Sequence, residues 1–255
     1  MNISLVQVIG GLLTIGIRLT GIMLFAPFFG SVVIPARVKA VLVMALTALL
    51  YPALSPKIPQ MNMSQWPMMV LGELLIGIAL GVATNLVFDG VQMAGQVLSV
   101  QMGYSLINIL DPQTQVESTV MATFHQTIAM LIFLRLNVHL LILRALVHSF
   151  EYLPPSSGHF GAAFMSSAVE SGAAVFSIGI QIAAPVLSAT LLADIALGLL
   201  GKASPQLPLM LLGPAVKSLL GLTILISALK YWPDLFEHMF LNSIDKADHL
   251  LHLAQ

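Results

Sequence analysis

The sequence predicts an all-α protein made of hydrophobic helical hairpins with kinked helices, either integral to a membrane or associated with one. Three observations predict this class: 58% of the 255 residues are hydrophobic, only 8% are charged, and the mean hydropathy is +0.95. Ordinary soluble domains carry about 25% charged residues. A water-exposed surface of this composition would be one continuous apolar patch, which excludes a soluble enzyme of usual make-up, a secreted scaffold and a disordered chain.

Charge and cysteine content exclude further classes of protein. The net charge of −1 provides no basic field to attract phosphate backbones, so we expect no nucleic-acid partner. The absence of cysteine excludes disulfides, thiolate zinc sites and iron–sulfur clusters. No basic residue precedes Arg18, and the first apolar stretch continues past Phe29, so we expect the N-terminus to be retained as a helix.

Six windows approach the ~20 apolar residues that a bilayer-spanning helix needs. They lie near residues 4–29, 38–55, 66–88, 118–150, 171–200 and 206–230. The uncharged stretch between Asp89 and Asp111 is rich in amides, so we expect it to continue the third helix into protein-lined or aqueous surroundings and not to span. Because Asp111-Pro112 disfavours helix, residues 105–117 are predicted to form a break.

Other proline-rich breaks separate the windows. They occur at Pro52, Pro56 and Pro59, at Pro154-Pro155, and over residues 204–208. Beyond the last window, apolar residues recur every three or four positions among charges. This spacing over residues 231–255 indicates an amphipathic helix on a surface.

Charged side chains inside the apolar windows are the first candidates for function, because each costs about 2.5 kcal/mol or more in lipid. They are Arg18, Glu73, Asp89, Arg135, Arg144, Asp194 and Lys217. A proton or ion relay would make the chain an autonomous secondary transporter. The acids are isolated along the sequence, so we favour salt bridges or pairing at helix ends within an assembly.

Three of the seven histidines, His125, His139 and His148, fall in the window 118–150. In one continuous helix His125 and His139 would share an azimuth but stand about 21 Å apart, too far to bind one metal ion. We interpret these histidines as structural or interfacial and expect no metal or cofactor. A haem enzyme is the alternative, but no phosphate-binding loop or nucleophile–base pair predicts catalysis.

Small residues predict close helix packing. Gly77 and Gly81 form a Gly-x-x-x-Gly pair directly after Glu73. The window 171–200 repeats small residues at Ala173, Ser177, Gly179, Ala183, Ala184 and Ser188. Such faces let helices approach closely where lipid gives little hydrophobic drive to associate, so we expect packing against this chain's own helices or those of a partner.

Ordered motifs extend over nearly the whole chain. They are Arg18 with residues 23–30 (MLFAPFFG), 34–37 (IPAR), 72–77 (GELLIG), 94–96 (AGQ), 101–103 (QMG), Asp111-Pro112, His139, 149–150 (SF), 184–185 (AP), 191–200 (LLADIALGLL) and 204–206 (SPQ). In this order and spacing the chain resembles the FliR/SctT family of type III protein-export components.

The resemblance implies a non-enzymatic core subunit of the flagellar type III export gate, in the bacterial inner membrane at the flagellar basal body. It implies a helical ring with FliP and FliQ homologues around a pore for unfolded flagellar proteins, with a FlhB-type export component and membrane lipids as further partners. Residues 1–153 would form a FliP-like part, 154–232 a FliQ-like hairpin and 233–255 an amphipathic helix. An injectisome export-gate homologue remains an alternative, as does an autonomous multi-pass transporter.

The resemblance also implies residue roles. A plug in the pore would lie near residues 105–117 and include Ser105, Leu106, Asn108, Asp111, Pro112, Gln113, Gln115 and Glu117. Helix packing and bends would involve Pro27, Gly30, Pro35, Gly77, Gly81, Gly95, Gly103 and Pro185. The inter-subunit or buried charges would be Arg18, Glu73, Asp89, Asp194, Lys202 and Lys217. Except for Arg18, we expect the isolated chain to leave these charges without partners, because a buried charge persists when a neighbouring subunit pairs with it.

Overall fold

The computed structural model of the protein describes residues 5–31, 34–58, 66–104, 119–158, 160–206 and 208–254. Over these residues the chain is helical and contains no strand, which confirms the all-α prediction. Its α-helices are α1 (Leu5–Phe25), α2 (Ala36–Leu54), α3 (Trp66–Gln101), α4 (Val120–Arg135), α5 (Val138–Tyr152), α6 (Ala162–Ala203), α7 (Leu209–Ala228) and α8 (Trp232–His252). Short 3₁₀ turns, Ser55–Lys57 and Leu229–Tyr231, follow α2 and α7.

By length and composition, five helical segments of the described chain could cross a membrane. The helices α4 and α5 form a pair bent by 63° that could provide a sixth crossing. Each of these segments overlaps one of the six predicted windows, and the last one, Leu212–His252, also includes the predicted amphipathic helix. The expectation that residues after Asp89 continue the third helix is also confirmed, because α3 runs without interruption to Gln101.

The window 118–150 is not one helix. Between α4 and α5, Asn137 adopts the left-handed conformation with φ 54° and ψ 31°, which asparagine tolerates better than most residues. The predicted common azimuth of His125 and His139 is therefore wrong, since the two residues lie on different helices of a bent pair.

Most of the proline breaks lie where they were predicted. Pro154-Pro155 and the described residues between α6 and α7 are non-helical. Pro52 is an exception because it lies inside α2 near the helix end, where it removes one backbone hydrogen bond but does not end the helix. Pro59 lies outside the described residues, and Pro185 lies within the continuous helix α6.

The chain divides into two compact units of discontinuous sequence. The first unit comprises Met1–Val87, Leu134–Gly172 and Phe240–Gln255, and the second comprises Phe88–Phe133 and Ala173–Met239. The helices α3, α4, α6 and α8 each contribute residues to both units. The division of the chain into FliP-like, FliQ-like and C-terminal parts remains a prediction.

In the first unit, α1 and α2 pack as an antiparallel hairpin. A Cβ placed on Gly11 would meet the Tyr51 ring, and one on Gly16 would lie 3.5 Å from the Thr47 hydroxyl. Residue numbers that increase along α1 therefore face decreasing numbers along α2. The core of this unit includes Leu19, Ile22, Ile76, Leu146 and Phe150.

In the second unit, glycines set the closest helix approaches. A Cβ on Gly95 of α3 would lie 2.8 Å from the Ala122 nitrogen of α4. On α6, a Cβ at Gly179 would lie 3.2 Å from the Gly90 carbonyl oxygen. Larger side chains at these crossings would force the backbones apart, which is why small residues occupy them.

The helix α8 is amphipathic and buries its apolar side chains in the protein. Phe236, Phe240 and Leu251 are fully buried, whereas Asp234 and Lys246 are exposed. The apolar face of this helix therefore packs in the core of the chain instead of lying on an external surface.

Candidate functional site

A buried ion pair between Arg18 of α1 and Glu73 of α3 lies in the first unit. Arg18 Nε donates to Glu73 Oε2 at 2.7 Å, and Arg18 Nη2 donates to Glu73 Oε1 at 3.0 Å. Both carboxylate oxygens are engaged, so the contact is bidentate and matches the guanidinium fork. Neither residue is accessible to solvent, at 0% exposure each.

The Arg18 guanidinium also contacts α5 and Leu153, the residue that follows this helix. Arg18 Nη1 donates to Ser149 Oγ at 2.7 Å, and Nη2 donates to the Leu153 carbonyl oxygen at 3.1 Å. The Phe150 ring lies 3.8 Å from the guanidinium carbon, within the range of a cation–π contact. One arginine side chain thus joins α1, α3 and α5; this set of Arg18, Glu73, Ser149, Phe150 and Leu153 is called the Arg18 cluster below.

Two facing glycines explain why Arg18 and Glu73 meet. A Cβ on Gly77 would collide with the Arg18 carbonyl oxygen, and one on Gly21 would lie 2.7 Å from the Leu74 carbonyl oxygen. The backbones of α1 and α3 are therefore in direct contact at this point. Because Gly77 follows Glu73 by one helical turn and Gly21 follows Arg18 by three residues, the crossing places both side chains on the same side.

The Arg18 cluster is suited to holding helices together and not to chemistry on a substrate. It is closed to solvent, and the guanidinium engages both carboxylate oxygens of Glu73, so no substrate reaches either group. Glu73 is thus a partner in a structural ion pair, and the transporter hypothesis stays a prediction. Ser149 and Phe150, which sequence reasoning noted only as a short motif, acquire a structural role as partners of Arg18.

A second polar cluster lies in the second unit at the C-terminal end of α3. Asp194 of α6 pairs through Oδ1 with Lys217 Nζ of α7 at 2.9 Å. Its other oxygen, Oδ2, accepts a hydrogen bond from Gln101 Nε2 at 2.9 Å. Tyr104 and Ser218 share a hydrogen bond of 2.7 Å between their hydroxyl oxygens.

A glycine closes this end of α3. Gly103 has φ +86°, a conformation that side chains rarely adopt, and a Cβ there would lie 2.9 Å from the Pro214 Cβ. The turn after α3 therefore rests on α7, and Gln101 and Tyr104 fasten it to α6 and α7. The predicted plug residues 105–117 follow directly and lie outside the described residues.

The expectation that the isolated chain leaves its charges without partners is wrong for Glu73, Asp194 and Lys217. Glu73 pairs with Arg18, and Asp194 pairs with Lys217, within the chain. Sequence inspection missed this pairing because each partner lies in a different window. Asp89 is half-buried and Lys202 is exposed.

Three of the four remaining predicted packing residues lie at the connection of α1 to α2, and the fourth lies on α3. Pro27 and Gly30 belong to the turn that follows α1, and the Gly30 nitrogen donates to the Ala26 carbonyl oxygen at 2.7 Å. Pro35 directly precedes the first residue of α2. Gly81 packs against Ile22 and Phe25 of α1, one turn beyond Gly77.

The histidine His125 is buried in an aromatic environment. Its Nδ1 lies 2.7 Å from the Met121 carbonyl oxygen, and its ring centroid lies 5.1 Å from that of Trp232. Within the described ranges no three histidine, aspartate or glutamate residues are grouped so that they could hold a metal ion. This arrangement fits a packing role for His125.

The sequence model of a family described as "Bacterial export proteins, family 1" matches residues 9–243, a range that contains the Arg18 cluster and the second polar cluster. The chain belongs to this family. The resemblance to the FliR/SctT family is thereby confirmed, and this member is an export-related membrane protein by family and by the composition of its helices.

Relatives of this family member carry the name "Flagellar biosynthetic protein FliR". The protein of Bacillus subtilis (strain 168) is 28% identical over 255 residues, which cover 98% of each chain. That of Escherichia coli (strain K12) is 28% identical over 228 residues, 88% of this chain and 86% of the relative. The Caulobacter vibrioides protein is 25% identical and covers 87% of this chain and 91% of its own.

Proposed function

We propose that this chain is a non-enzymatic core subunit of the flagellar type III protein export gate. In this role it forms, with FliP and FliQ homologues, the pore through which unfolded flagellar proteins cross the bacterial inner membrane at the flagellar basal body. A FlhB-type component is a further partner. The flagellar names of the relatives favour this role over that of an injectisome homologue.

The exposed apolar face of α6 carries the proposal. Large apolar side chains that are at least half exposed occur along this helix from Met165 through Phe176 and Ile195 to Leu200. At ~1.5 Å per residue this face is about 53 Å long, whereas the hydrocarbon core of a bilayer is ~30 Å thick. Lipid tails cover at most part of this length, which favours companion polypeptides over the rest.

Small residues on the same helix support a protein partner. Ala173, Ser177, Ala184 and Ser188 are exposed, although small residues elsewhere in the chain line close helix contacts. An exposed small-residue face lets a partner helix approach to backbone contact, and it gives no advantage against lipid. Within the same proposal, residues 1–153 take the place of a FliP subunit, 154–232 form a FliQ-like hairpin, and residues 105–117 plug the closed pore.

Enlarging these small residues tests the proposal. We expect the double substitution Ser177→Phe/Ala184→Phe to reduce recovery of FliP and FliQ homologues with the tagged chain at least tenfold, because overpacking costs about 1–3 kcal/mol at each site and ~1.4 kcal/mol is a factor of ten. Leu241→Phe, an exposed large-for-large change on α8, is the control and should retain the partners. The measurement is co-purification in mild detergent, with swimming motility as a second readout.

The same experiment can contradict the proposal. Recovery of the unsubstituted chain as a stable monomer, with FliP and FliQ homologues co-expressed but absent from the preparation, would remove the basis for an assembly role.

A further inference from the structure

An apolar groove of about 570 Å³ lies between α1 and α2 in the first unit. It is lined along α1 from Ile9 to Thr20 and along α2 from Val43 to Ala48. At ~1.5 Å per residue the groove extends for about 17 Å along α1, close to the thickness of one leaflet of a ~30 Å hydrocarbon core. Its length therefore matches that of one lipid tail.

The lining of the groove favours a hydrocarbon chain. Its polar side chains are Thr20, which donates to the Gly16 carbonyl oxygen at 2.7 Å, and Thr47. Thr47 is 6% exposed, and within the described part of the chain its hydroxyl has no hydrogen-bond partner. An acyl chain fills such a groove through van der Waals contacts and requires no polar partner there.

Basic residues lie beyond the end of the groove at the start of α2. Lys39, Val43 and Thr47 are spaced by four residues, so they share one face of the helix, and Lys39 lies one turn beyond the last groove residue. Arg37 is exposed and Lys39 is half-buried. Helix α2 begins after Pro35 with no side-chain cap, which leaves the positive end of its backbone dipole open.

The charge balance of this region favours an anion. No Asp or Glu occurs in the sequence before Glu73, and Glu73 is bound by Arg18. Lys57, at the other end of α2, pairs with Glu151 at 2.7 Å. No salt bridge joins Arg37 or Lys39 to another residue of the described chain.

We propose that this groove binds one acyl chain of an anionic phospholipid and that Arg37 and Lys39 hold its phosphate. Each basic residue near a membrane surface attracts anionic lipids. Two such residues together therefore give a strong local preference for anionic lipids. The site is independent of the export role, since it requires only that the α1–α2 hairpin face lipid.

Photocrosslinking of the full-length protein in vesicles tests the site. The probes are phosphatidylglycerol and phosphatidylcholine with a diazirine in the acyl chain, and the readout is the labelling of α1 and α2 peptides by mass spectrometry. We expect phosphatidylglycerol to label these peptides about tenfold more than phosphatidylcholine. Equal labelling by the two lipids would overturn the proposal.

Substitutions at the basic end test phosphate recognition. Arg37→Gln/Lys39→Gln should lower phosphatidylglycerol labelling to the phosphatidylcholine level. Lys246→Gln, at an exposed residue of α8, is the control and should leave the labelling unchanged. Undiminished labelling of the Arg37→Gln/Lys39→Gln protein would contradict the role of these residues.

Substitutions in the groove test its occupant. Ala48→Phe should fill the groove and abolish labelling by both lipids, whereas Ala45→Phe, at an exposed α2 residue outside the lining, should not. Thr47→Val removes the free hydroxyl and should leave lipid labelling unchanged. If Ala48→Phe instead released a co-purified protein and left the lipid labelling intact, the groove would be a protein contact and the lipid proposal would fail.

Discussion

The Arg18 guanidinium shows how a charge can be stabilised in an apolar interior. Moving an ion out of water costs several kcal/mol, and the cost is offset only when hydrogen bonds replace the lost hydration. Four donor contacts, to both oxygens of Glu73, to Ser149 and to the Leu153 carbonyl, provide that replacement. The ion pair therefore adds little net free energy of unfolding. Removing one of its partners would nevertheless destabilise the protein strongly.

Removal of Glu73 tests whether the buried ion pair is needed for the stability of the folded chain. Glu73→Ala leaves a buried guanidinium without its counter-ion, and we expect a loss of about 3–5 kcal/mol in unfolding free energy. Thermal unfolding of the detergent-solubilised protein, followed by helical circular dichroism, measures the loss. Glu151→Ala at the exposed pair with Lys57 is the control and should produce little change.

A compensating variant distinguishes the ion pair from simple packing. Replacing both partners by apolar residues of similar volume, Arg18→Met/Glu73→Leu, removes the desolvation cost together with the attraction. We expect this double variant to be more stable than Glu73→Ala alone. If Glu73→Ala proved as stable as the unsubstituted protein, the Arg18 cluster would have no part in holding the helices.

The crossing of α1 and α3 depends on Gly21 and Gly77. Each glycine faces the backbone of the other helix, so no side chain of any size fits there without movement of a helix. Helix α3 also contains Gly72, at which an added Cβ would meet nothing within 4 Å. The two glycines on α3 thus have opposite requirements, although they are five residues apart.

Alanine at these two positions should have opposite effects. We expect Gly77→Ala to destabilise the protein by about 1–3 kcal/mol, because the new methyl group collides with the Arg18 carbonyl. Gly72→Ala should be neutral or stabilising by up to ~1 kcal/mol, since alanine is the better helix former. Thermal unfolding of both variants in the same detergent measures the two changes in stability. Equal destabilisation by both substitutions would show that helix crossing is not the cause.

Helix positions could be predicted from the sequence, but their pairings could not. Long apolar windows and proline-rich breaks located α1, α2, α3 and α6 because hydrophobicity and backbone restriction act locally. The bend at Asn137 was missed, since a single left-handed residue leaves the apolar window intact. Arg18 and Glu73 are 55 residues apart, and their contact depends on a crossing at Gly21, which carries no signal without the second helix.

Across the whole chain, the apolar segments differ in the fraction that the chain itself buries. Half of the window in α1 and 44% of that in α3 are buried, compared with 11% for α2 with its 3₁₀ turn and 22% for α6. An isolated chain thus stabilises α1 and α3 by internal packing. The outer faces of α2 and α6 depend on lipid, detergent or companion chains.

This difference predicts where assembly will slow amide hydrogen exchange. Exchange of a helical amide requires local opening, and a partner that binds only the closed form makes that opening rarer. Compared with the isolated chain in detergent, a complex with FliP and FliQ homologues should slow exchange most in α6 between Met165 and Leu200, and least in α1. Mass spectrometry of peptic fragments measures both. If α1 slowed most and α6 did not change, the exposed face of α6 would not be the surface that its partners cover.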